Sequence, residues 1–137
     1  VIRIEIDGVT FERPDWLGGE GLDLFHAVLP VLTRSRALMF VVQAAKSEGD
    51  QRAEHERAAH LAFVNADTSL DLIRKTLSGV SVRHEGMPKP LADRWDVVFH
   101  RRPLLATRLA FALWGEAGFF DALGGSVPAT SSAEPAV

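Results

Sequence analysis

Ile2, Ile4 and Ile6 alternate with Arg3 and Glu5, and Val9 and Phe11 alternate with Thr10 and Glu12. Asp7-Gly8 lies between the two runs. Period-two apolar positions on both sides of Asp-Gly predict a β-hairpin over residues 2–13. The turn needs positive φ at its centre, which Gly8 accepts freely and Asp7 tolerates. A lone hairpin is marginal in water, so its apolar face must rest on the rest of the chain.

Beyond the hairpin the apolar period becomes helical. Pro14 to Gly21 holds one proline and three glycines and predicts a loop. Leu22, Phe25, Val28 and Leu29 then fall at helical spacing, and Pro30 predicts a break or kink near Leu29. A second helix is expected from Thr33 or Ser35, either of which could cap it, to about Ser47. Its centre, Ala37 to Val42, is apolar on nearly every face, so the helix is either fully buried or partly covered by a partner. Ser47 to Asp50 reads as a turn, with Asp50 as N-cap. Ala59, Ala62, Phe63, Ala66, Leu70, Ile73 and Leu77 come in steps of three and four and predict one long helix, stopped at Gly79. Val80-Ser81-Val82 alternates and predicts a third strand against the hairpin, and Gly86 to Pro90 predicts a loop. Pro90 is placed to open a short helix carrying Leu91, Trp95, Val98 and Phe99, and Pro103 to open another carrying Leu105, Leu109 and Ala112. Gly115 and Gly118 weaken its end.

The expected fold is therefore mainly α (α+β): an N-terminal hairpin followed by a bundle of about four to five helices. Residues 1–123 form one domain. Residues 124–137, made of Gly, Ser, Pro, Ala and Thr with little else, are expected to be a disordered, flexible tail. The 137 residues suit one domain, and 47% apolar with 24% charged residues is ordinary for a globular protein. A net charge of −3 gives no general attraction to nucleic acid or anionic lipid. The absence of cysteine excludes disulfides and thiolate metal sites. The N-terminus lacks the unbroken apolar segment of a signal peptide, and no stretch approaches the about 20 residues that span a bilayer. Cytoplasmic location is the default expectation.

Candidate chemistry is sparse. His55-Glu56-Arg57-Ala58-Ala59-His60 superficially suggests a zinc-protease helix, but that site needs histidines four apart. A spacing of five splays the two side chains by about 140°, so this segment reads as a solvated face. His26, His84 and His100 are scattered and read as structural or surface residues. The serines sit in no nucleophile-elbow pattern. Gly18-Gly19-Glu20-Gly21 lacks the lysine and hydroxyl residue of a phosphate loop. Arg74-Lys75 and Arg101-Arg102 are too short to make a nucleic-acid footprint. No catalytic, cofactor-binding or metal-binding residue is assigned, and the chain is not expected to be an enzyme.

Most of the Phe and Trp residues instead lie between Trp95 and Phe120. Such aromatics at helical spacing seal a core, form a binding patch, or do both with different faces. Four features in order carry a family resemblance: the Ile4-Glu5-Ile6-Asp7-Gly8-Val9-Thr10-Phe11 hairpin; a helical middle; the Leu77-Ser78-Gly79-Val80-Ser81-Val82 turn; and Trp95-Asp96-Val97-Val98-Phe99 with Arg102-Pro103, then an apolar helix ending in Phe119-Phe120. On these, over roughly residues 2 to 121, the chain resembles the small tail assembly chaperones of long-tailed (siphovirus-like) bacteriophages and prophages.

The resemblance implies a non-enzymatic protein that binds the helical tape-measure protein in the host cytoplasm and keeps it soluble. It also implies recruitment of the tail tube protein and absence from the mature virion. Some members are made in a longer frameshifted form, to which the Gly/Ser/Pro tail would suit as a linker. No cofactor, nucleic acid or membrane is implied. The candidate protein-binding residues are Met39, Phe40, Trp95, Phe99, Trp114, Phe119 and Phe120. The alternatives are a structural virion component such as a head–tail connector subunit, which would form stable oligomers, and a small DNA-binding regulator, which would bind duplex in a salt-dependent way.

Overall fold

The computed structural model describes residues 1–121. The predicted tail, 124–137, lies outside the described residues. The hairpin is present as β1 (Ile2–Ile6) and β2 (Val9–Arg13), paired antiparallel with Ile4 opposite Phe11 and Ile6 opposite Val9. Asp7 and Gly8 hold φ of 52° and 82°, the turn that Asp-Gly predicts. The expected third strand is β3 (Ser81–His84), which sets Val82 opposite Phe11. Ile2, Phe11 and Val82 are buried on the inner face. The outer face is polar: Glu12 receives Arg3 at 2.6 Å and Arg83 at 3.3 Å. Partial burial raises the Glu12 pKa, but the hydrogen bonds from Arg83 and Arg3 outweigh that and leave it below the ordinary carboxylate value.

Residues 86–90 correct the predicted loop. Met87–Pro90 is a fourth strand, β4, giving a sheet of order β1-β2-β3-β4. Glu85 and Gly86, with φ of 54° and 79°, turn the chain in the same way as Asp7-Gly8. Leu91 N–H continues the ladder to the Val80 carbonyl at 2.9 Å, so odd-numbered N–H groups face β3. Pro88 and Pro90 therefore fall on the free edge, where a missing N–H costs no ladder bond.

Helix α1 spans Gly18–Arg34 and also differs from expectation at both ends. It begins within the predicted loop, and the Gly21 N–H already bonds the Leu17 carbonyl at 2.8 Å. It also runs through Pro30. An interior proline costs about 3 kcal/mol. Leu24, Val28, Val31 and Leu32, on both sides of it, are buried, each stabilising by about 1.5–3 kcal/mol. The continuous apolar face wins. The break comes at Arg36, with φ 68°, where α2 (Ala37–Ala45) departs at 93°. Ser35 assists, its hydroxyl accepting from the Ala37 N–H at 3.3 Å.

The predicted long helix is two: α3 (Gly49–Val64) and α4 (Ser69–Leu77). Glu48 occupies the N-cap position of α3, and Asp50 sits in its first turn. Asn65-Ala66-Asp67-Thr68, residues that favour turns, interrupts: Ala66 N–H bonds Phe63 O at 3.0 Å and Ser69 N–H bonds Ala66 O at 3.3 Å. The Ser69 hydroxyl donates to the Val64 carbonyl at 3.1 Å, and Thr68 takes φ 29°. Leu70, which the spacing put on the inner face, is 56% exposed. Gly79, at φ 84°, does stop α4. Pro90 ends β4 instead of opening a helix; a 3₁₀ turn at Leu91–Arg94 leads into α5 (Trp95–Val98). Pro103 precedes α6 (Leu105–Glu116), which Gly118 closes at φ 87°.

Phe11, Val28, Leu32, Phe63, Leu109 and Trp114 lie at the centre of one core between the sheet and the helices. One polar link crosses it. The Trp114 indole donates to the Thr76 hydroxyl at 3.1 Å, which donates to the Leu72 carbonyl at 2.7 Å. Among the described residues, no single helix is long and apolar enough to cross a membrane.

Candidate protein-binding surfaces

The seven sequence-predicted contact residues fall into three places. Trp95 and Phe99, one helical turn apart across α5, pack edge to face with centroids 4.7 Å apart. Both are half-buried, and Val97 on the same turn is 70% exposed. Arg74 of α4 lies over the Trp95 ring at 4.9 Å from its centroid. Met39 and Phe40 sit on α2. Met39 is 45% exposed, whereas Phe40 leans on the core and Ala37 and Ala44 are buried. The all-round apolar helix is thus covered around most of its circumference, and only Met39 and Gln43 along it are exposed. On α3, Leu61 and Val64 are exposed as well.

The third group lies at the end of α6 and corrects the sequence reading. Trp114 is fully buried and Phe119 is 7% exposed. Phe119 meets Phe25 at 5.3 Å and stacks on Trp16 at 6.2 Å. These two seal the core, and Phe119 shows only an edge to the cleft it lines with Trp16 and Phe25. Phe120 is half-buried, 6.1 Å from Phe111. Among the described residues, no ring contact joins the α5 pair to the α6 group.

Two clefts flank these surfaces. One, of about 310 Å³, lies between α2, α3 and α6 and is walled by Val41, Ala44, Ala59, Phe111 and Phe120. His60 lines it. Histidine at this position departs from the predicted solvated face: its ring packs against Phe111 at 4.7 Å. Burial, with the nearby Arg108 cation adding to it, pushes its pKa down to about 4, so it is neutral at neutral pH. Helical spacing correctly separated His60 from His55, but it could not show which of the two turned inward. The cations here are paired, Arg108 with Asp7 at 2.9 Å and Arg52 with Glu56 at 3.7 Å. The second cleft, of about 520 Å³, is formed by Arg74, the Leu77–Ser81 segment, Pro90, Ala92 and Trp95. The sequence reading missed it, because its walls come from α4, β3, β4, the 3₁₀ turn and α5, elements brought together only by folding.

Among the described residues, no three His, Asp or Glu side chains group so as to hold a metal ion. Both faces present apolar and aromatic surface with isolated charges, an arrangement suited to receiving another chain's side chains. No protein-family model, no curated protein and no solved structure matches this chain.

Proposed function

We propose that this protein is a non-enzymatic phage tail assembly chaperone. It binds the tape-measure protein, keeps it soluble and assists assembly of the tail tube around it, acting in the host cytoplasm and leaving before the particle is complete. The observation that carries the reading is the apolar surface left on helices α2, α3 and α5, with Met39 at 45%, Leu61 at 44% and Val97 at 70% exposure. Large apolar groups exposed on helices suit helix-in-groove contacts with a partner that has apolar stripes of its own. Met39 adds an adaptable side chain to that surface. The contact set is Met39, Phe40, Trp95, Phe99 and Phe120; Trp114 and Phe119 support it from the core.

The test is co-expression with the long tape-measure protein of the same phage or prophage. The expected result is a higher soluble yield of that protein and co-elution of the two. An insoluble partner with no complex overturns the reading and favours a head–tail connector subunit, which would instead form stable oligomers and remain in purified particles.

A further inference from the structure

The cleft beside Trp95 differs from the cleft beside His60 in its charge. Arg52 and Arg108 each have a carboxylate partner. Arg74 makes no ion pair among the described residues, and no acidic residue lines its cleft. The guanidinium instead lies over the Trp95 ring. Stacking of this kind loosens the hydration of one guanidinium face and leaves its in-plane N–H donors available.

Three further donors belong to residues lining the same cleft: the Ser78 and Ser81 hydroxyls and the Trp95 indole N–H. None has a hydrogen-bond partner among the described residues. The turn from Ser78 into β3, which opens at Ser81, is held from behind. Arg13 donates to the Ser78 carbonyl at 2.9 Å and to the Thr76 carbonyl at 3.4 Å, and Val80 N–H bonds Leu77 O at 3.2 Å. The cleft therefore combines a braced turn, a cation with no ion-pair partner among the described residues, solvent-accessible donors and an aromatic wall.

We propose that this cleft receives a carboxylate side chain of a protein partner, with the partner's neighbouring apolar side chain laid against Trp95 and Pro90. A carboxylate accepts from several donors at once, and its bonds to a guanidinium are charge-assisted. A neutral amide of the same shape supplies an acceptor without the charge. The inference rests on the chaperone reading only for the partner's identity.

The test uses the whole protein and two capped, amphipathic helical peptides, one built from Leu, Ala and Glu and the other with Gln in place of every Glu. Binding is followed by the indole N–H resonances in ¹H–¹⁵N NMR spectra, with Trp95 assigned through Trp95→Phe and buried Trp114 as internal control. The Glu peptide is expected to move the Trp95 resonance and to bind about tenfold tighter than the Gln peptide. That preference should shrink as salt is raised. Arg74→Gln, at an exposed position, should abolish the preference without unfolding the chain. Equal affinities, absence of binding by either peptide, or a preference that survives Arg74→Gln overturns the inference. A Glu preference alongside failed rescue of the tape-measure protein would sink the chaperone reading alone. A tape-measure complex formed undiminished by Arg74→Gln would sink the carboxylate site alone.

Discussion

Thr76 is the side chain whose loss the structure prices most directly. It is fully buried on α4, and its hydroxyl accepts from the fully buried Trp114 indole while donating to Leu72 O. Thr76→Val replaces the hydroxyl by a methyl of nearly equal size, so packing is kept and the indole N–H is left without an acceptor. An unsatisfied buried donor costs about 1–3 kcal/mol. We therefore expect a loss near 2 kcal/mol by this mechanism. With an unfolding entropy near 2 cal/mol/K per residue, each kcal/mol moves the Tm of a domain this size by about 4 °C, so Tm should fall by about 8 °C. Urea unfolding followed by circular dichroism measures the loss, with an unchanged m-value showing that the same surface is exposed on unfolding. Thr76→Ser is the control. It keeps the hydroxyl and removes one methyl, costing about 1 kcal/mol with the small cavity it leaves. Valine should thus be the worse substitution. The reverse order, or a valine loss below about 0.5 kcal/mol, would refute the idea that this polar link matters.

Trp114→Ala should cost about 3–5 kcal/mol, as for a core tryptophan, whereas half-buried Trp95→Ala should cost distinctly less and leave a folded chain, both read from urea midpoints. The His60 pKa is lowered from 6.5 to about 4 in the folded protein, so between those pH values the unfolded chain takes up a proton that the folded chain refuses. Stability should therefore fall as pH drops through that window, and His60→Gln should flatten this part of a urea-midpoint profile against pH. Gly79→Ala should destabilise by about 1–2 kcal/mol through backbone strain at φ 84° alone, since among the described residues no atom lies within 4 Å of the added methyl; thermal unfolding checks it.

Local rules account for the elements legible in the sequence. Asp7-Gly8 dictates a hairpin because both residues tolerate positive φ and the flanking alternation agrees. Gly79 stops α4 for a similar reason, and Val80-Ser81-Val82 marks β3 by its alternation. Glu85-Gly86 makes the same kind of turn, but glutamate is a weaker signal than aspartate, and two prolines argued against a strand. Those prolines are harmless only because β4 lies at the sheet edge, a fact of strand order. The Ala59-to-Leu77 spacing hid a boundary because apolar residues continue in steps of three and four across Asn65–Thr68, although Leu70 turns outward in the fold. Pro30 was outvoted by buried residues on both of its sides.

The binding residues divide in the same way. Their chemical type was readable: aromatics and a methionine, with no catalytic partners in the sequence pattern. Their roles were not, because Trp95 and Trp114 occupy similar helical patterns and differ only in the groups that pack on them. The sequence by itself determined the hairpin, the helical character and the crowding of aromatics toward the end, since each depends on residues within a turn or two of one another. Tertiary structure decided that Trp114 and Phe119 are core, that His60 turns inward and that Arg74 lies over Trp95 with no ion-pair partner among the described residues. Those outcomes rest on contacts such as Trp114 with Thr76, 38 positions apart, and Arg13 with Ser78, 65 apart, which no periodicity along the chain encodes.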